Sequence, residues 1–190
     1  MGNQKAASII DNLVVAREML GPSTFAAVLA TVPAATRALC ERRLLPVEWI
    51  PNDDWFPFGQ AVLDHAYHGD EEQLRRMARK VCERDFNTFY KVILKILVSP
   101  DFLLERAAKL WRTYHDSGEL RVVSKDKRSG RMHIHFRVEG LETRFTIFGA
   151  LMQAFIEQLL HMTGARDIRV ERQLHLSDGK LDGDFFASYL

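Results

Sequence analysis

The hydrophobic period of this chain changes once, near Glu119, and that change sets what it can fold into. Before it, apolar residues recur at helical spacing. After it they mostly alternate, the mark of half-buried strands, around one further helix. The predicted class is α+β: a helical N-terminal part followed by an antiparallel sheet with one long helix. At 190 residues this is one domain, 1–190, with a helical part at 1–118 and a sheet-plus-helix part at 119–190.

In the helical part, Lys5 to Leu20 spaces Ile9, Leu13, Val14 and Met19 as a helix that Gly21-Pro22 stops. A second helix follows through Phe25, Val28 and Leu29, and Pro33 opens a third. Trp49 to Phe58 holds four aromatics among three prolines within Leu44 to Gly59, so a packed but irregular connection is expected. Asp70-Glu71-Glu72 begins a patterned helix with Arg75, Arg76, Arg79, Lys80 and Arg84 along it, acids first and bases later, as the helix dipole favours. Those bases read as a solvated face or as a site for an acidic partner. Phe86 to Val98 is apolar almost all round and belongs at the centre of the fold. Ser99-Pro100-Asp101 breaks it and starts a helix carrying Trp111 and Tyr114 that ends at Gly118.

Beyond Glu119 come a strand, a polar turn at Lys125–Gly130, and Arg131 to Val138, where Met132, Ile134, Phe136 and Val138 alternate with His133, His135 and Arg137. Thr146 to Met162 is helical. Asp167 to Leu176 alternates again. Ser177 to Gly183 reads as a turn, and Asp184 to Tyr189 as the last strand.

Composition excludes several roles. Lys and Arg total 26 against 25 Asp and Glu, and a nucleic-acid binder would carry a basic excess. No apolar run of the length needed to span a bilayer is read, since Lys95 breaks the longest candidate, Val92 to Val98. With no export signal, a cytoplasmic location is expected. Cys40 and Cys82 then read as buried free thiols, with a disulfide as the alternative. Nearby arginines would lower either thiol's pKa if it were a nucleophile. No phosphate loop, dinucleotide fingerprint, zinc-protease helix or nucleophile elbow is present, so no enzyme is expected.

Ser99-Pro100-Asp101-Phe102-Leu103-Leu104 through Lys109 to Gly118, and later Thr163-Gly164-Ala165-Arg166-Asp167-Ile168-Arg169-Val170-Glu171, resemble a bacterial paralogous family of unknown function, abundant in myxobacteria. That family looks related to the 4-vinyl-reductase domain, the heme-NO-binding domain and the TRAPP Bet3-type subunits. The resemblance covers about residues 5–190 and implies their shared fold. Departures limit what else it implies. The final strands lack the cysteines common in 4-vinyl-reductase domains. The Tyr-x-Ser-x-Arg grip on heme propionates is missing, and the likely proximal helix offers only His115, at its end. No cofactor is expected, while a thiol beside an acyl tunnel is what the Bet3-type relatives would imply for Cys82.

Three functions remain. The first is a non-catalytic regulatory or sensory module that binds a small apolar ligand or a protein partner, with candidate pocket residues Phe86, Phe89, Tyr90, Ile93, Trp111, Tyr114, Phe148 and Phe155. These are equally good core residues. The second is a homodimeric scaffold or adaptor using the aromatic stretch Trp49 to Phe58. The third is a heme or metal protein built on surface histidines. His133 and His135 share one strand face, and His175 would join them if its strand were a neighbour. A polar sheet surface facing solvent is the other reading. On the helix near 146–163, Gln153, Glu157 and His161 line up as an acid–base pair or as a surface hydrogen-bonding set.

Overall fold

A computed structural model describes the backbone of residues 2–88 and 100–190 and the side chains of 2–85 and 106–190. A short strand β1 (Asn3–Lys5) leads into α1 (Ala6–Thr31) and α2 (Ala34–Glu41). Strand β2 (Trp49–Pro51) pairs back onto β1, and α3 (Asn52–Ala61) follows. Helices α4 (Glu71–Thr88) and α5 (Pro100–Tyr114) complete the helical part. Strands β3 (Glu119–Arg128) and β4 (Arg131–Glu142) then form a hairpin. Helix α6 (Ile147–Met162) crosses over, and β5 (Arg169–Ser177) and β6 (Lys180–Tyr189) form a second hairpin. The four long strands make one antiparallel sheet in the order β3-β4-β6-β5. The class is the expected α+β.

The apolar face of the sheet carries Ile134, Phe136 and Val138 from β4, Leu181, Phe185 and Ala187 from β6, and Val170 from β5, all buried. Helix α6 packs on that face. A Cβ at Gly149 would come within 2.4 Å of the Leu174 side chain, so the helix sits close to β5 only because this residue has none. A polar network ties the layer together. Gln153 Nε2 donates to Val170 O at 2.7 Å, and Arg172 reaches both Gln153 and Glu71. Arg79 Nη1 donates to Glu157 at 2.9 Å, joining α4 to α6. The bases of α4 are therefore not one solvated face: Arg75 and Arg79 pair with Glu72 and Glu157, and Arg84 pairs with Asp11 and Glu18 of α1.

Two expectations change. The stretch after Trp49 is a strand and a helix rather than an irregular connection. Trp55, Phe56 and Phe58 are each at most 5% exposed, and burying three large aromatics outweighs the backbone bond lost at Pro57. The run 125–130 is strand through Arg128, and the run 177–183 is strand at Ser177 and again from Lys180. The turns are only Ser129-Gly130 and Asp178-Gly179, all four at positive φ. Polarity at 125–128 marks exposure on both faces, not a turn. Within α1, Gly21 at φ 72° and ψ 167° lies outside helical geometry and divides the span into two helical stretches before Pro22, as the sequence suggested. By length and composition alone α1 is long and apolar enough to cross a membrane. Here Ile9, Leu13, Val15, Ala16, Phe25, Val28 and Leu29 enter the core instead.

Candidate functional site

Between the helices and the sheet lies a cavity of about 250 Å³. Its floor is Leu120 of β3 and Phe136 of β4. Helix α6 supplies Phe148, Leu151, Met152, Phe155, Ile156, Leu159 and Leu160, and α5 supplies Ala107, Leu110, Trp111 and Tyr114. Trp55 and Phe56 close one side. The remaining wall comes from Gln4, α1 and α4 and carries most of the polar groups: Gln4, Ser8, Asp11, Asn12 and Asp85.

The aromatics are fixed against one another. Trp111 meets Phe148 edge-on at 5.8 Å, and Phe56 meets Phe148 at 6.0 Å and 71°. Trp111 Nε1 donates to Gly118 O at 3.0 Å, which locks the indole. His115 follows the last turn of α5 and stacks on Trp111 at 4.1 Å. Burial pushes its imidazole down to about 4 from the usual 6.5, so it is neutral at neutral pH. Its Nδ1 is buried without a hydrogen-bond partner. Strand β1 pins this corner from outside: Gln4 bridges to His115, and Asn3 donates to Asp116 through backbone and side chain, both at 2.6 Å.

The part of the wall from α1 and α4 is acidic. Asp85 of α4 hydrogen-bonds Asp11 of α1, and burial together with that neighbouring carboxylate pushes Asp85 up to about 8. Asp11 also accepts from Arg84 Nε at 3.0 Å. The other polar side chains here serve the backbone. Ser8 donates to Lys5 O at 2.8 Å, and Asn12 donates to Ser8 O at 2.6 Å.

Of the pocket residues suggested by the sequence, Trp111, Tyr114, Phe148 and Phe155 line this cavity. Phe89, Tyr90 and Ile93 lie outside the described residues, as does the side chain of Phe86. The histidine cluster does not assemble. Strand β6 separates β4 from β5. His133 stands opposite Ser188, and His175 opposite Asp182, six residues farther along β6, about 20 Å at strand rise. His135 is engaged elsewhere, with Nε2 2.6 Å from Asp184 and its ring stacked on Phe186. Among the described residues no three metal-ligating side chains stand together. Glu157 pairs with Arg79 rather than His161. The thiols are not activated: burial pushes Cys40 up to about 12 and Cys82 well above its ordinary value, overriding any nearby arginine.

The residues that sequence reading missed are Asp11, Asp85 and His115's place on the wall. Asp11 sat inside an apolar stripe, a visible signal. Asp85 gave none, because only the α1–α4 packing brings it to Asp11.

No family model matches the chain, and no curated protein does. Solved structures do. An Fe(II) unliganded H-NOX protein mutant from K. algicida is 8% identical, with a TM-score of 0.66 over 98% of this chain and 96% of that one. The Cs H-NOX protein is 14% identical, with a TM-score of 0.65 over 97% and 96%. An oxygen-binding H-NOX domain related to soluble guanylate cyclases is 13% identical, with a TM-score of 0.60 over 97% and 94%. The fold is the H-NOX fold. Heme is the group named for neighbours of this fold, in work on heme redox potential and on heme distortion in the H-NOX family. His115 is an imidazole on the cavity wall, as an axial ligand requires. A heme also brings two carboxylates that need cations. The described lining holds no Lys or Arg and instead presents Asp11 and Asp85. The cavity also falls below the roughly 300 Å³ at which drug-sized sites begin. The described wall does not fit a heme.

Proposed function

We propose that this chain is a non-catalytic regulatory module of H-NOX fold that binds a small apolar ligand in the cavity between α5, α6 and the sheet. The observation that carries this reading is an apolar, aromatic-walled cavity in a close-packed core, where voids larger than a water molecule are rare. The neighbours support the sensory part: one is an oxygen-binding domain related to soluble guanylate cyclases. The resemblance to a bacterial paralogous family and the expected cytoplasmic location belong to the same reading. Native mass spectrometry of freshly purified protein, followed by titration with apolar probes, tests it. Retained mass, or saturable quenching of the cavity-wall tryptophans Trp55 and Trp111, is expected. An apo mass together with no response to any probe overturns it.

A second reading, an adaptor or homodimer, is favoured by one exposed run. Leu45, Val47 and Trp49 are 54%, 73% and 43% exposed on the segment leading into β2. Sedimentation showing a monomer at high micromolar concentration would remove the dimer.

A further inference from the structure

We propose that β5 is an interaction edge: a second copy of this chain adds its own β5 there, antiparallel, about a two-fold axis through Gln173, and so doubles the four-stranded sheet. No β5 residue is among the described cavity lining, so the ligand reading is not needed here. The dimer is that of the second reading, seated on a different surface from Leu45, Val47 and Trp49. The order β3-β4-β6-β5 leaves two edges. The β3 edge is guarded. Its pairing with β4 shifts register between Val122 and Ser124, and Lys125, Lys127 and Arg128 follow along it. The β5 edge has none of these devices. Its nine residues keep an unbroken register against β6, with no proline or lysine, and all but Val170, Arg172 and Leu174 are exposed. A regular edge of this kind is a template for another strand.

Backbone direction and side-chain chemistry together choose the register. Ser177 faces Lys180 across the two-residue turn Asp178-Gly179, and the closing pair of such a hairpin exchanges both of its backbone bonds. Alternation then turns the backbone groups of Arg169, Glu171, Gln173 and His175 toward β6, and those of Val170, Arg172, Leu174 and Leu176 outward. The bond from Gln153 Nε2 to Val170 O, made from α6, agrees. Bonded pairs with a second copy must therefore join even-numbered residues, which allows central axes through Arg172, Gln173 or Leu174. An axis through Arg172 sets two arginines against each other. An axis through Leu174 sets Glu171 against the partner's Ser177. The axis through Gln173 sets Val170 against the partner's Leu176, so Leu176, 42% exposed, gains an apolar neighbour. On the solvent face it sets Glu171 against the partner's His175, a carboxylate facing an N–H donor, once on each side of the axis. Among the described residues, neither Glu171 nor His175 has a side-chain partner within its own chain.

A two-fold axis makes Gln173 its own neighbour. In a non-hydrogen-bonded antiparallel pair the Cα atoms stand about 4.5 Å apart, a span that a disulfide bridges. Glu171 meets its own copy only about 13 Å away along the strand, four residues of rise. The full chain is therefore studied as wild type, Gln173→Cys and Glu171→Cys, by sedimentation at high micromolar concentration and by non-reducing electrophoresis after oxidation. Cys40 and Cys82 are buried and stay out of the exchange. Wild type is expected to sediment as a dimer. Gln173→Cys should form a reducible covalent dimer at least about tenfold faster than Glu171→Cys. Glu171→Arg should weaken the dimer about tenfold or more by facing the partner's imidazole with a cation. Val47→Lys should leave the dimer as it is. A dimer in which Gln173→Cys cross-links no faster than Glu171→Cys overturns the β5 edge and leaves the dimer standing, as does one that Glu171→Arg leaves intact or that Val47→Lys dissociates. Should Gln173→Cys fail to fold, Glu171→Arg decides alone. A monomeric wild type overturns the edge and the dimer together.

Discussion

Replacing Asp85 with Asn should stabilise this protein, and by an amount that depends on pH. The carboxyl titrates near 8 in the fold against 3.8 ordinarily, because it is buried beside Asp11. In the unfolded chain it ionises freely above 3.8. The unfolded state therefore binds fewer protons than the folded one between those values, and stability falls as pH rises. The slope is about 1.4 kcal/mol per pH unit for one proton. Between about 4 and 6.5 an opposing slope nearly cancels it, because His115 titrates near 4 in the fold and near 6.5 outside it. Above 6.5 the Asp85 slope stands alone, so about 2 kcal/mol should be lost between pH 6.5 and 8. Asparagine keeps the shape and an N–H donor for Asp11 but carries no proton to lose. At pH 8 the variant should exceed wild type by about 5 kcal/mol, and near pH 4 the two should agree. Urea denaturation followed by tryptophan fluorescence at pH 4, 5, 6.5, 7.5 and 8 reads both curves. Parallel curves for variant and wild type would mean that Asp85 is ionised in the fold, and the account of the acidic wall would be wrong.

Other substitutions probe the rest of the wall and its support. His115→Phe should remove the acid-side loss, raising stability by about 2 kcal/mol at pH 4.5 and changing its pH dependence little above 7; chemical denaturation at those two values checks it. Gly149→Val places a side chain where Leu174 already sits, and thermal melting should show a loss of roughly 1–3 kcal/mol. Gln153→Leu strips the partner from Val170 O and from Arg172 and should destabilise by about 1–3 kcal/mol. A loss under 0.5 kcal/mol on denaturant unfolding would show that water replaces the amide. Hemin added to the apo protein should give no histidine-ligated Soret band, and a sharp one would reverse the assignment made from the acidic wall.

Much of the architecture was legible because period and punctuation agree. The alternation at Ile134, Phe136 and Val138 gave a strand face that the structure buries, and Gly21-Pro22 marked the kink in α1. The aromatic stretch after Trp49 was misread because proline is a local signal, while the burial that overrides it is tertiary. Strand order was not legible at all. His133, His135 and His175 obey the same alternation whether or not β6 lies between their strands, so a metal cluster and a polar surface look alike in sequence. The aromatic half of the cavity was named through Trp111, Tyr114, Phe148 and Phe155. Its acidic half was not, since the pairing of Asp11 with Asp85 spans two helices whose packing no spacing rule encodes.

The described cavity wall runs from Gln4 to Leu160. No fragment of the chain owns it. Loop closure over that span delays contacts between distant segments, so an emerging polypeptide cannot form the proposed ligand site until the helical part and the sheet have met. Occupancy then reports on the finished molecule. Because a ligand that binds only the folded state shifts the whole unfolding equilibrium, the proposed ligand would raise the protein's abundance as its supply rises.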